Sequence, residues 1–242
     1  MLRHCAGPWM IATWLLAHAG AGAAQGTLPD LSGYVTLGSG YWKNGLAKNN
    51  GASLQLGIDW QHPSGFFTYG NVTNLDLPHT PGSYAATPDV EASAYAGYHA
   101  RRASWSWTVS GGRYFYSNTE GRYDYNEVSA SVGFRDRVFY TASYAPDYYN
   151  RARAALNQEV SVAFPLRGDL EIGGAVGRFT QSEGGWAMTH WNVGVSKLVR
   201  RMAIDLRYYD GDFDWRAYLG DPHTNHYVLS VSYALRGRSP GR

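Results

Sequence analysis

Nine polar side chains are spaced through this sequence as if to line a path for water and ions: Gln55, Asp59, Glu91, Glu127, Glu159, Glu171, Asn192, Asp205 and Arg207. Six are carboxylates and one is basic. Carboxylates gathered around a narrow aqueous path lower the energy of a passing cation, so the set carries a weak lean toward cations. The chemistry expected is passive diffusion rather than bond making. The opposing reading is that charges pair across the lumen and plug it, because a barrel of modest strand number leaves little free room.

Two other constellations invite chemistry. Asp210-Gly211-Asp212-Phe213-Asp214, with Asp221 further on, has the acidic spacing of a calcium loop. Trp215 stands where such a loop needs glycine, and Asp221 stands in place of a final Glu. Solvated acids on an exposed loop explain the run as well, and no cofactor is expected. His62, His79, His99, His190, His223 and His226 could each serve a lipid-hydrolysing barrel, but Gly38-Ser39-Gly40 is not a nucleophile elbow. A lone histidine near a strand end is more often a turn or interface residue. No enzyme is expected, and no phosphate loop, dinucleotide fingerprint or zinc spacing occurs.

The polar residues owe their common direction to alternation. In Gly51–Phe67, Leu54, Leu56, Ile58 and Trp60 share one parity, and Ser53, Gln55, Gly57 and Asp59 the other. Successive strand side chains point to opposite faces, so the segment has one greasy and one polar face. The unit recurs: Trp105, Trp107 and Val109 oppose Ser106, Thr108 and Ser110, and Val128, Ala130 and Val132 oppose Glu127, Ser129 and Ser131. Twelve strands are expected, at 31–42, 51–61, 65–77, 88–100, 104–115, 123–135, 137–146, 154–165, 168–179, 188–198, 201–210 and 224–235. Short turns (62–65, 101–103, 135–137, 166–168, 199–201) alternate with long loops (43–50, 78–87, 116–122, 147–153, 181–187, 211–223). That order predicts an all-β, closed antiparallel transmembrane barrel of about twelve strands, its termini on the short-turn side. A soluble sandwich shares the alternation but not the regular short and long connections. An open sheet edge is too costly in hydrocarbon, so the first strand must pair with the last.

Composition agrees. The 242 residues include 29 Gly, 19 Tyr and 9 Trp, with 17% charged residues and a mean hydropathy of −0.37. A barrel can sit in lipid at that value because half of each strand faces a polar interior. Aromatics cluster near strand ends: Tyr41, Trp42, Trp60, Trp105, Tyr114, Tyr116, Tyr123, Tyr148, Tyr149, Trp191, Tyr208, Tyr209, Trp215 and Tyr227. They are read as girdles at the lipid–water boundary. Basic residues are scattered rather than clustered, which argues against nucleic acid. Arg3, the apolar run Trp9–Ala17 and the small residues Ala21–Ala24 read as a cleavable signal peptide, and the run is too short for an anchor. The single Cys5 would leave with it. The organisation expected is a signal peptide over 1–24, a barrel over 25–235 and a polar tail over 236–242.

Three stretches resemble a known family, the TorF-type putative porins of Proteobacteria. They are Gly51–Gln55 through His62-Pro63-Ser64-Gly65-Phe66, Tyr144-Ala145-Pro146-Asp147-Tyr148-Tyr149, and Asn192-Val193-Gly194-Val195-Ser196-Lys197. The resemblance covers nearly the whole mature chain and implies an outer-membrane barrel with a channel role. Its partners would be outer-membrane lipid and lipopolysaccharide, the barrel-assembly machinery and small polar solutes. This chain departs from the family in two places. Tyr41-Trp42-Lys43-Asn44-Gly45 stands where the family tends to show a basic Arg-Gly segment, and Tyr233-Ala234-Leu235 is followed by Arg236–Arg242 rather than ending in an aromatic. A non-conducting barrel, structural or ligand-binding through its long loops, is the alternative.

Overall fold

The structure is a computed structural model, describing residues 30–77, 88–117, 123–182, 187–212 and 226–236. The expected signal peptide, 1–24, and residues 237–242 of the expected tail lie outside the described residues. So do His79, Asp214, Trp215, Asp221 and His223.

Among the described residues fourteen strands follow one another: β1 (Asp30–Gly38), β2 (Tyr41–Lys43), β3 (Leu46–Asn49), β4 (Ser53–Gln61), β5 (Phe66–Asn74), β6 (Val90–Arg102), β7 (Trp105–Tyr116), β8 (Tyr125–Phe134), β9 (Val138–Ala145), β10 (Ala155–Pro165), β11 (Leu170–Gln181), β12 (Ala187–Val199), β13 (Met202–Gly211) and β14 (Tyr227–Arg236). Twelve of them, β1 and β4 to β14, form one closed antiparallel barrel. β1 closes it, pairing with β14 from Ser32↔Arg236 to Gly38↔Ser230 and with β4 from Asp30↔Gln61 to Gly38↔Ser53. Closure leaves no strand edge unpaired, which is what a barrel needs in hydrocarbon.

The alternation sets inside and outside. Leu54, Leu56 and Ile58 face outward at 43%, 47% and 56% exposure, while Ser53, Gln55 and Asp59 are buried inside. Val109, Val128, Val176, Val193 and Leu206 continue the outward apolar surface on other strands. Trp105 with Phe134 and Phe66 with Tyr98 pair across strands at the short-turn end. Trp191, Tyr208 and Tyr227 do so at the long-loop end. These rings form the two aromatic girdles expected at the interfaces.

The high glycine count has a packing cause. A Cβ on Gly57 would run into the Tyr34 ring, one on Gly97 into Phe67, one on Gly112 into Tyr95, and one on Gly133 into Phe139. In each case an inward aromatic ring lies flat over a glycine of the neighbouring strand, so bulk is stored along the wall instead of across the lumen. Gly112→Leu is therefore expected to lift Tyr95 off the wall, costing about 1–3 kcal/mol through overpacking. A urea titration of the refolded barrel should show a lower midpoint. Gly111→Leu, one residue earlier and facing outward, where a Cβ meets only the Val128 methyl at 4.0 Å, should leave it unchanged.

The first expected strand, 31–42, is corrected. β1 stops at Gly38, and the expected loop 43–50 is mostly the second half of a hairpin, β2–β3, that forms its own two-stranded sheet. Asn44 and Gly45 both have positive φ, 50° and 76°, which is the two-residue turn that Asn-Gly favours. Ser39 still bonds Leu229 of β14 and the Gly40 carbonyl still accepts from Ser53 of β4; beyond them the hairpin folds into the lumen at the long-loop end.

Candidate functional site

All nine residues expected to line a lumen lie on the inner-face parity of their strands. Gln55, Asp59, Glu91, Asp205 and Arg207 are buried, and Glu127, Glu159, Glu171 and Asn192 are half-buried. A polar chamber of about 170 Å³ brings together Gln55, Glu91, Glu127, Glu159, Asn192 and Arg207 with the hairpin's Lys43. Asp59, Glu171 and Asp205 are not part of its lining. Asp205 is tied down there: it accepts from Ser196 Oγ at 2.5 Å and from Arg207 Nε and Nη2 at 3.3 and 3.2 Å. Arg207 also donates to Asn192 Oδ1 at 2.7 Å. Asp59 accepts from Gln61 Nε2 at 2.8 Å. Glu127 accepts from Tyr95 OH at 3.0 Å and points into the chamber.

The chamber is capped at the long-loop end by the β2–β3 hairpin. Glu91 holds it. One carboxylate oxygen accepts from Tyr41 OH at 3.2 Å and Lys43 Nζ at 3.4 Å; the other accepts from Tyr116 OH at 2.6 Å and pairs with Lys48 Nζ at 3.6 Å. Lys48 is 3% exposed and also donates to Tyr149 OH. On the opposite wall Trp42 stacks on Tyr209 at 5.5 Å, and the turn glycine Gly45 rests against His190 and Met188. So the hairpin spans the lumen, with a charged hub on one side and aromatic packing on the other.

These contacts correct the reading of the aromatics. Tyr41, Trp42, Tyr114, Tyr116, Tyr148, Tyr149 and Tyr209 do not belong to a lipid girdle. Tyr114, Tyr116, Tyr125, Tyr148, Phe179 and Met188 form an interior core, against which Tyr41, Tyr95, Tyr123 and Tyr149 pack. Tyr114 and Tyr125 stack at 4.7 Å, and Tyr148 and Tyr149 meet at 4.2 Å. Trp42 and Tyr209 form a second core with Ala47 and Val228. The physical reason is parity. Tyr114 and Tyr116 share the face of Ser106, Thr108 and Ser110, and Tyr209 shares the face of Asp205 and Arg207.

The remaining constellations are occupied by structure. Asp210 accepts from Tyr208 OH at 3.1 Å and from the Gly211 amide at 2.8 Å, and Asp212 accepts from the Thr189 amide at 2.6 Å. Among the described residues no group of three or more His, Cys, Asp or Glu is placed to hold a metal ion. His62 Nδ1 meets Ser64 Oγ at 2.6 Å and accepts from the Ser64 amide at 3.2 Å, a contact that fixes the short turn. His190 Nε2 lies 3.0 Å from Asn157 Oδ1, His99 Nδ1 lies 3.1 Å from Thr108 Oγ1, and His226 Nδ1 lies 2.7 Å from the Tyr209 carbonyl.

A family model described as "Bacterial protein of unknown function (Gcw_chp)" matches residues 21–234. The chain belongs to the Gcw_chp family. Solved barrels share its fold. A structure described as "KdgM porin in complex with disordered oligogalacturonate" matches at 12% identity and a TM-score of 0.50, covering 84% of this chain and 98% of that one. A structure of the NanC porin matches at 9% identity and a TM-score of 0.54, covering 86% and 100%. No curated protein matches in sequence. The Gcw_chp chain is thus an outer-membrane-type β-barrel with the fold of these porins.

Proposed function

We propose that this Gcw_chp protein is a porin-like channel of the bacterial outer membrane, passing small polar solutes or ions by diffusion, with a lean to cations. One observation carries the reading: a chamber lined by Glu91, Glu127, Glu159, Asn192 and Arg207 lies inside a closed wall whose outer face is apolar. Apolar-out and polar-in is the arrangement that places an aqueous path across lipid. The resemblance to TorF-type putative porins points the same way. The lean to cations rests on sign: six inner carboxylates stand against Arg207 and the hairpin lysines Lys43 and Lys48. No reaction and no cofactor enter this function. Lipid, lipopolysaccharide and the barrel-assembly machinery are its surroundings and its route to the membrane.

The second reading is a non-conducting barrel, and the β2–β3 hairpin across the long-loop end favours it. Planar-bilayer recording separates the two. A tenfold potassium chloride gradient is expected to give a reversal potential of cation sign. Glu127→Gln combined with Glu159→Gln should move it toward zero. Anion preference would overturn the lean, and silence in every condition would overturn the channel.

A further inference from the structure

The surroundings of Glu91 are more specific than a plug requires. Around one carboxylate stand two ammonium groups, from Lys43 and Lys48, and two phenol hydroxyls, from Tyr41 and Tyr116. Both ammonium groups also face aromatic rings. Lys43 Nζ is 3.4 Å from the Tyr114 ring centroid, and Lys48 Nζ is 4.9 and 5.6 Å from those of Tyr149 and Tyr116. A carboxylate walled by aromatic faces favours an alkylammonium over a small inorganic cation, because ring faces stand in for the weak hydration of an organic cation. Glu127 adds a second carboxylate to the same chamber.

The lysines that fill this cradle sit on a segment that stands outside the barrel's ladder and is held mainly by side chains. The ladder of the hairpin is internal, Tyr41↔Asn49 to Lys43↔Leu46, and no barrel strand pairs with β2 or β3. Its backbone touches the wall at Asp76, whose amide donates to the Lys48 carbonyl at 3.0 Å. Its other ties run through side chains, among them the Glu91 hub, the Trp42–Tyr209 stack, the seat of Gly45 on His190, Asn49 Nδ2 donating to the Asn74 and Ala52 carbonyls at 3.4 Å, and Ser53 Oγ donating to the Gly40 carbonyl at 2.8 Å at the hairpin's base. In this arrangement the lysines act as a tethered ligand.

We propose that Glu91, Tyr114, Tyr116 and Tyr149 form a binding cradle for alkylammonium groups, filled at rest by the hairpin's own lysines, and that free oligoamines compete for it and so open the channel. The opening step rests on the channel reading above; the competition does not. A ligand shifts such an equilibrium only by its differential affinity for the two states. An amine has that preference, because the cradle is vacant only when the hairpin has left.

Spermidine and trypsin test the competition on the refolded full-length barrel. The bond after Lys43 is enclosed, whereas the one after Arg200 lies in an exposed short turn. Spermidine is expected to speed cleavage after Lys43 several-fold, leave cleavage after Arg200 unchanged, and raise the bilayer current. Magnesium chloride at matched ionic strength should do neither. In Glu91→Gln the Lys43 bond should be open from the start and insensitive to spermidine. If that variant does not refold, as judged by a boiling-induced shift in gel mobility, Tyr149→Leu, a loop change, should weaken the spermidine response. The proposal is overturned if spermidine leaves Lys43 as protected as before, or if magnesium matches it. Current without any spermidine response removes the cradle and leaves the channel; amine-driven cleavage without current keeps the cradle and removes the channel.

Discussion

Glu91→Gln is expected to release the β2–β3 hairpin and turn brief currents into long-lived open levels. The substitution keeps size and removes charge, so the buried Lys48 loses its carboxylate partner and Lys43 keeps only Glu127 of the same chamber. Breaking a buried pair from one side typically costs about 3–5 kcal/mol, because the remaining charge is stranded. The barrel ladder is untouched, so this cost falls on the hairpin's docking and not on the whole fold. At about 1.4 kcal/mol per factor of ten, the docked-to-released ratio should fall by roughly two to three orders of magnitude. Single-channel recording reads this directly as open probability, and unfolding in urea should move far less. Adding Lys43→Met and Lys48→Met to Glu91→Gln should restore closure, since an apolar replacement of a buried ionic cluster is often neutral or stabilising. Wild-type open probability in Glu91→Gln would mean that the Trp42 side alone holds the hairpin.

The barrel itself was legible in the sequence because it is written in a local code. Parity and turn length sufficed for twelve strands and for the pairing of β1 with β14. The hairpin was not read, although its signal was present. Asn44-Gly45, between Tyr41-Trp42-Lys43 and Leu46-Ala47-Lys48, is a strong two-residue turn signal. Tyr41 and Trp42 fall at the end of the expected strand 31–42, and the turn and its second arm fall in the expected loop 43–50, so the hairpin is split between the two. Tyr114, Tyr116 and Tyr209 lie near strand ends, as girdle residues do, and only their parity tells them apart from a girdle. Tyr114 sits in register with Thr108 and Ser110, and Tyr209 with Asp205 and Arg207, so parity alone puts them inside. The latch was beyond reach on other grounds. Lys43 and Glu91 are 48 residues apart and meet only because the barrel has closed and the hairpin has turned inward. A contact that depends on closure leaves no periodic trace in the chain.

Leu56→Arg should nearly abolish insertion into lipid vesicles. Leu56 lies at mid-height on β4, paired with Val35 on one side and Val72 on the other, and is 47% exposed on the outer face. A guanidinium at the bilayer midplane of a barrel costs about 2–4 kcal/mol, and the site offers only apolar neighbours to repay it. Against the marginal net stability of folded chains, that is a large fraction of the whole. Ser93→Arg is the counterpart: the same charge placed on the inner face of β6, where the chamber supplies water and the carboxylates of Glu91 and Glu127. It should insert with near wild-type yield and shift the reversal potential toward anions. Folded fraction is read from the boiling-induced change in gel mobility after refolding into vesicles. Each variant adds one arginine, so composition and net charge cannot account for a difference between them. Only the direction of the side chain differs, and that direction is fixed by parity and by the closure of β1 on β14. Equal yields for the two would mean that lipid does not touch the outer face, and with it would go both the membrane assignment and the channel.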